Sequence, residues 1–262
     1  MRTADHMNLS RYIMKNMADG TPWSLKMAFI FGSIEPDINV LTYFRGSIHG
    51  EEKLRGHNYE NAVKYMEKLA GKLGSGKMGK LSRSFILGKL IHYVADAFTY
   101  PHNAIFKGSL RQHCQYETEL HEYVNNMINE NQVKMRKLPE NANVIEYVEA
   151  MHRCYEALER PDHTGHSEME LQADFYYITS AISMVTDRFW NVETETEGRL
   201  DTIRHNMPAL NKGSALSSPI TCANVAHAGA DTMAVAVQTG LPAIAGEEMA
   251  AVRVSQGHTR VA

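Results

Sequence analysis

The chain of 262 residues is long enough for one large domain, or for one domain with an appendage. Hydrophobic residues make up 44% of it and charged residues 22%, a globular composition that excludes a wholly disordered chain. The formal net charge of −3 gives no reason to expect binding to a nucleic-acid backbone or to an anionic membrane.

The first 195 residues predict helices joined by short loops, because apolar residues recur there at three- and four-residue steps. Ser167 and Glu170 have the spacing of a capping box, which predicts the start of the last helix. Strand-like alternation is nearly absent from the sequence. We therefore predict an all-α, multi-helix bundle. Its helices are expected at residues 8–18, 58–73, 81–98, 109–129, 141–159 and 168–190.

Two zones lack a helical pattern. Residues 31–57 contain a proline and four glycines, and we predict a long ordered loop or a broken helix there. Only six of residues 206–262 are charged, so the helical domain is expected to end near residue 195. Residues 196–262 are interpreted as a C-terminal extension of unknown structure. A flexible extension, a small interaction segment and a reading-frame artefact all remain open for it.

Membrane and export signals are not evident in the sequence. No apolar stretch approaches the roughly 20 residues that cross a bilayer, so no transmembrane segment is expected. The residues MRTADHMNLSRY have no apolar core of the kind found in a secretory signal. These observations favour a cytoplasmic protein, although a missing N-terminal segment would change that interpretation.

The strongest chemical signal among the thirteen histidines is a pair of histidine–carboxylate steps. His92 and Asp96 are four residues apart, as are His113 and Glu117, and His102 lies between the two pairs. Residues four apart share one face of a helix, so each pair can hold one metal ion. One such pair is more often a capped or solvated pair. Two pairs with an intervening histidine favour a metal site, and imidazole with carboxylate ligands suits zinc.

This order of residues resembles the bacterial zinc-dependent phospholipase C family, which is related to fungal single-strand-specific nucleases. The resemblance covers about residues 5–125 and rests on the motifs HYVADAFTYPH, HCQYE, GSIEPDIN and RGHNYENAVKYM. It implies a helical bundle around a multinuclear metal site with two to three zinc ions.

The resemblance also implies which residues hold the metals. The first zinc would be bound by Asp37, His57, His92 and Asp96, and the second by His102, His113 and Glu117. The third would share Asp96 as a bridge and would be bound by His6.

Some of these assignments have alternatives. His49 competes with His57, which is preferred because it directly precedes a predicted helix. Asp37 alone would be an ordinary turn residue after Pro36, and His6 alone an exposed terminal histidine. In secreted members of the family the processed N-terminus completes the third zinc site. Here either Met1 reaches that site, or an upstream segment is missing, or the site is weak.

The function implied is a metal-dependent phosphodiesterase that hydrolyses a phospholipid or another small phosphodiester with a zinc-activated water. Asp37, or a nearby carboxylate such as Glu35, would orient that water or accept its proton. A nuclease- or nucleotidase-like phosphoesterase and a non-catalytic metal-binding helical protein are the alternatives. The net charge argues against long nucleic acids, and the oligomeric state is left open.

Overall fold

The computed structural model of the protein describes residues 1–17, 20–39, 41–42, 57–139, 142–158 and 167–190. Seven α-helices and one 3₁₀ turn make up the secondary structure of these residues, which confirms the predicted all-α fold. The helices are α1 (Thr3–Met17), α2 (Trp23–Ile38), α3 (Tyr59–Gly74), α4 (Lys80–Ala97), α5 (Leu110–Asn129), α6 (Val144–Glu156) and α7 (Glu168–Trp190), and the 3₁₀ turn is Tyr100–His102.

Helix α4 lies at the centre of the bundle. It packs against α1, α2, α3 and α7, and its side chains from Leu87 to Ala97 are all buried. A helix that is buried on every side must be apolar on every side or must satisfy its polar groups internally. His92 and Asp96 are fully buried near the end of this helix, so the polar groups of the predicted site belong to the core.

The closest helix crossing joins α2 and α4 through two glycines. A Cβ atom added to Gly32 would clash with the carbonyl of Phe85, and one added to Gly88 would clash with the carbonyl of Phe29. Only glycine lets the two backbones approach this closely. The crossing brings the last turn of α2 beside the last two turns of α4.

Helix α2 corrects the prediction of a loop or broken helix from residue 31. Residues 31–38 continue the helix that begins at Trp23, and Asp37 lies in its last turn. The apolar residues of this helix lie on all of its sides, so its sequence has no clear amphipathic stripe. Gly32 serves the helix crossing, and Pro36 lies inside the helix, where it has no N–H to donate to the carbonyl of Gly32.

Other local predictions agree with the structure. Ser167 and Glu170 form the predicted capping box through reciprocal hydrogen bonds of 3.2 and 3.3 Å. The first helix begins at Thr3, earlier than the predicted residue 8.

The predicted C-terminal extension, residues 196–262, lies outside the described residues. None of the described helices combines the length and the apolarity needed to cross a bilayer.

Candidate metal centre

All eight predicted site residues lie within the described part of the chain, and the fold brings them into three adjoining groups. The first group is Asp37, His57 and His92, the second is His6, His92 and Asp96, and the third is His102, His113 and Glu117. Within each group one potential ligand atom per residue lies within 4.8 Å of the others. Four of the helices, the 3₁₀ turn and the residues just before α3 contribute these side chains.

In the first group, the ligand atoms of Asp37, His57 and His92 lie close together, and Asp96 of the second group approaches both histidines. His92 Nε2 lies 3.1 Å from His57 Nδ1 and 3.2 Å from Asp96 Oδ2. Asp37 Oδ1 lies 3.6 Å from His92 Nε2 and 3.7 Å from His57 Nδ1, and the His57–Asp96 separation is 3.2 Å. Ligands at zinc–ligand distances near 2.0–2.1 Å in a tetrahedron are about 3.3 Å apart. The five separations, between 3.1 and 3.7 Å, are close to this value, so these side chains are spaced as ligands of a metal ion would be.

The second ring nitrogen of each of these histidines is also held in place. His92 Nδ1 lies 2.9 Å from the carbonyl oxygen of Ser33, to which it donates, and His57 Nε2 lies 3.0 Å from Thr42 Oγ1. Such contacts select the tautomer and direct the other nitrogen toward the metal. They leave His92 Nε2 and His57 Nδ1 facing each other and the carboxylates of Asp37 and Asp96.

Asp96 connects this group to its neighbours because its two oxygens face different partners. Oδ2 faces His57 and His92, whereas Oδ1 lies 3.2 Å from His6 Nε2 and accepts a 3.0 Å hydrogen bond from the α-amino group of Met1. The imidazole of His6 stacks on that of His92 with ring centroids 3.9 Å apart. Asp96 thus has the geometry of a carboxylate that bridges two cations.

The group formed by His102, His113 and Glu117 lies between the 3₁₀ turn and α5. Glu117 Oε1 lies 3.2 Å from His102 Nε2 and 3.1 Å from His113 Nε2. The α-amino group of Met1 lies 3.1 Å from the same carboxylate oxygen and 3.2 Å from His102 Nε2. The side chain of His113 is 27% exposed, compared with 1% for Asp96, so the centre opens toward the surface on this side.

Two carboxylates of the centre, Asp96 and Glu117, have lowered pKa values despite their burial. Burial by itself raises the pKa of Asp96, but the positive charges of the Met1 amino group, His102, His92 and His6 lower this pKa well below its usual range. The pKa of Glu117 is likewise lowered by the amino group and by His102 and His113.

The same charges act on the basic groups. Burial lowers the pKa of the Met1 amino group, but the negative charges of Asp96, Glu117 and Asp37 outweigh burial and raise this pKa to about 11. Burial and the neighbouring positive groups lower the pKa of His6 and of His102, whereas the two aspartates raise the pKa of His92 against its burial. The lowered pKa values of Asp96 and Glu117 favour ionised carboxylates, and those of His6 and His102 favour neutral imidazoles, which are the protonation states that a metal ion requires of its ligands.

Unsatisfied polar atoms test whether these residues suit a metal. Among the described residues, His6 Nε2, Asp37 Oδ2 and His102 Nδ1 are buried without a hydrogen-bond partner. Such atoms are costly in a protein interior unless something else compensates for their lost hydration. Three of them in one centre fit a site built for cations, and a positive charge, the Met1 ammonium, already lies against two of its carboxylates.

Asp174 is a supporting residue that the sequence analysis missed. This buried aspartate on α7 accepts hydrogen bonds from the backbone amide of Tyr100 at 2.8 Å and from the hydroxyls of Tyr116 at 2.5 Å and Tyr155 at 2.7 Å. It anchors the turn that carries His102 and the helix that carries Glu117. An aspartate between Leu171 and Phe175, within an apolar stripe, is the sequence signal that could have indicated this role.

Other candidates lie outside the three groups or outside the described residues. His49, the alternative to His57, belongs to the part of the chain that is not described. Glu35, the alternative to Asp37, forms a 2.5 Å ion pair with Lys89 and accepts a 2.9 Å hydrogen bond from Asn39. His152 is a buried core histidine and lies 2.6 Å from Asn103 Oδ1.

The fold and the site together define an all-α protein whose core histidines and carboxylates can hold metal ions. The family model described as "Zinc dependent phospholipase C" matches residues 5–161, more than half of the chain. The protein therefore belongs to the zinc-dependent phospholipase C family, as its motifs predicted. Comparisons with curated proteins and with solved structures found no match.

Proposed function

We propose that the protein is a zinc-dependent phosphodiesterase of the phospholipase C type, acting on phospholipids. The observation that carries this proposal is the position of Asp96. Its two carboxylate oxygens face separate groups of potential ligands 3.2 Å away. A carboxylate of this kind holds two cations close together, and paired metal ions are the usual means of stabilising both the attacking and the leaving oxygen of a phosphodiester. Membership of the family supports zinc as the metal and phospholipid as the substrate.

We assign the ligands by group. Asp37, His57, His92 and Asp96 would hold the first zinc, and His102, His113 and Glu117 the second. His6 and Asp96 would hold a third, next to the α-amino group of Met1. When bound, the zinc ions would supply positive charge that acidifies a water molecule and polarises the phosphoryl oxygens.

We assign Asp37 the additional role of orienting the attacking water. Its Oδ1 faces His57 and His92, while its Oδ2 is buried and has no hydrogen-bond partner among the described residues. A carboxylate with one ligand oxygen and one unused acceptor can position a water molecule and accept its proton. Glu35 is less suited to this role because Lys89 and Asn39 engage both of its oxygens.

The substrate would enter on the side of α5. His113 and Glu117 are 27% and 18% exposed, whereas His92 and Asp96 are almost completely buried. The phosphate of a substrate would meet the second group first. We place this activity in the helical domain of residues 1–195 and assign no role in it to residues 196–262.

The proposal is tested by elemental analysis of the purified protein, followed by a screen for phosphodiester hydrolysis with zinc present and with zinc chelated. The substrates are a short-chain phosphatidylcholine, a nucleotide diester and single-stranded DNA. We expect two to three zinc ions per chain and zinc-dependent release of a phosphorylated head group from the lipid. Hydrolysis of the nucleotide substrates alone would favour the nuclease-like alternative, and bound zinc without any hydrolysis would favour a non-catalytic metal-binding protein.

A matched pair of variants links the activity to the site. His113 and His121 both lie on α5, and their side chains are 27% and 28% exposed. His121 pairs with Asp5 and lies outside the three groups. We expect His113→Ala to abolish most hydrolysis and His121→Ala to retain it. Equal activity of the two variants would contradict the assignment of the second zinc.

A further inference from the structure

An exposed apolar stripe runs along α2 and extends to α4. Trp23 is 75% exposed, Phe31 54% and Ile38 59%, and Met27 is exposed between the first two. These residues follow one another at steps of four or seven, so they share one face of the helix. Phe31 contacts Phe85 of α4 with ring centroids 5.9 Å apart, and Leu81, 56% exposed, precedes Phe85 by one turn. Large exposed apolar residues that cluster in this way mark an interaction surface.

The exposed charges that lead into Leu81 have one sign, and Glu35 of α2 is paired with Lys89. Residues 68–95 contain six basic residues and no acidic one. Lys68, Lys72, Lys77 and Lys80 are exposed, at the end of α3 and the start of α4. Residues 20–34, the first three turns of α2 and the segment before them, also lack an acidic residue and contain Lys26. The net charge of −3 therefore conceals a basic segment that includes Leu81 and Phe85, the part of α4 that the stripe reaches.

One end of the stripe is adjacent in sequence to residues of the metal centre. Ile38 is the residue after Asp37, and Leu41, 76% exposed, is the residue before Thr42, whose hydroxyl contacts His57. A surface that covered the stripe would thus lie beside the predicted ligands of the first zinc.

We propose that the stripe of Trp23, Met27, Phe31, Ile38, Leu41 and Leu81 docks the protein on the surface of an anionic phospholipid membrane. The apolar side chains would enter the boundary between head groups and acyl chains, and the neighbouring lysines would attract the anionic head groups. The inference rests on the proposed function, because a phospholipase must reach lipids that are held in a bilayer. It replaces the expectation, drawn from net charge, that nothing in the chain favours an anionic membrane.

Sedimentation with vesicles tests the docking separately from catalysis, since binding is measured on the full-length protein without any substrate turnover. Vesicles of phosphatidylcholine are compared with vesicles that contain about 30% phosphatidylglycerol. We expect binding to the anionic vesicles that weakens with added salt and is much weaker on the neutral ones. Failure of the wild-type protein to bind, or equal binding to both vesicles, would overturn the proposal.

Matched variants locate the surface. We expect Trp23→Ser/Phe31→Ser to weaken vesicle binding about tenfold or more, and Leu110→Ser/Met169→Ser, which removes exposed apolar side chains of α5 and α7, to leave it unchanged. Lys72→Gln/Lys77→Gln should weaken binding about fivefold or more, whereas the exposed pair Lys134→Gln/Lys137→Gln should not. Equal effects of a test pair and its control would overturn the location.

The outcomes also separate this inference from the proposed function. Stripe-dependent binding by a protein that hydrolyses no phosphodiester would retain the docking surface and reject the enzyme. Zinc-dependent hydrolysis of short-chain lipid by a protein that ignores vesicles would do the reverse. If Trp23→Ser/Phe31→Ser converts a dimer to a monomer in sedimentation equilibrium and wild-type protein does not bind vesicles, the stripe is an interface between two copies instead.

Discussion

His57 Nδ1 and Asp96 Oδ2 lie 3.2 Å apart, although 39 positions separate the two residues in the sequence. His57 lies just before α3 and Asp96 near the end of α4, and the packing of α3 against α4 brings them together. The contact joins a predicted ligand that precedes α3 to the helix that carries two more. It is the reason that three sequence-distant motifs can form one centre.

Asp96→Asn is expected to damage the centre more than His6→Ala. The aspartate faces two groups of potential ligands, so its loss removes negative charge from both and leaves neighbouring cations to repel each other. We expect Asp96→Asn to lose more than one equivalent of zinc and nearly all hydrolysis, and His6→Ala to lose at most one equivalent. Zinc content and turnover of a phosphodiester are the measurements. Full zinc content and wild-type turnover in Asp96→Asn would show that the bridge is wrongly assigned.

Removal of metal should destabilise the fold. The centre is assembled from residues between 6 and 117 and exists only when the chain is folded, so the free energy of metal binding adds to the free energy of folding. We expect chelation to lower the melting temperature and added zinc to restore it. The experiment requires protein that elemental analysis shows to be metal-free. An unchanged melting temperature in such protein would reject the prediction.

Tyr116→Phe and Tyr155→Phe should separate stability from metal binding. Each variant removes one hydroxyl that donates to Asp174, and we expect each to destabilise the protein by about 1–2 kcal/mol. Tyr116 directly precedes Glu117 on α5, whereas Tyr155 lies on α6, which contributes none of the eight predicted ligands. Zinc affinity should therefore fall about tenfold in Tyr116→Phe only. Equal zinc affinities in the two variants would limit Asp174 to a role in stability.

The stability of the fold should decrease as the pH falls below the ordinary histidine range. Burial, with a smaller contribution from Arg153, lowers the pKa of His152 to about 3 from its model-compound value of 6.5. Between these two values the unfolded chain binds more protons than the folded one, so the contribution to stability is complete above the higher value and is lost toward the lower one. The expected slope is about 1 kcal/mol per pH unit.

His152→Gln tests this contribution because glutamine keeps a donor for Asn103 but does not titrate. The free energy of unfolding is compared at about pH 7 and about pH 5 in metal-free wild-type and variant protein, so that the titration of the site histidines is common to both. The variant should lose less stability than the wild-type protein. If both proteins lose the same amount, His152 does not carry the effect.

Local sequence determined most of the helices. The spacing of apolar residues located the helices that became α3, α4 and α5 within one or two residues of their bounds, because each buries one face or sits wholly within the core. The spacing of apolar residues did not predict the start of α1 or the extent of α2. Helix α2 lacks amphipathic contrast because one of its faces packs on α4 while an equally apolar face is exposed, and periodicity cannot distinguish the two.

The sequence by itself also predicted which side chains would come together, because an i, i+4 histidine–carboxylate pair faces one way on any helix. Only the tertiary structure decided how those pairs meet. The direction of the His92 ring depends on the carbonyl of Ser33, and the turn that carries His102 depends on Asp174, 74 positions from Tyr100. Backbone carbonyls and buried carboxylates leave no periodic signal, and a distance between two helices arises from the packing of the whole bundle.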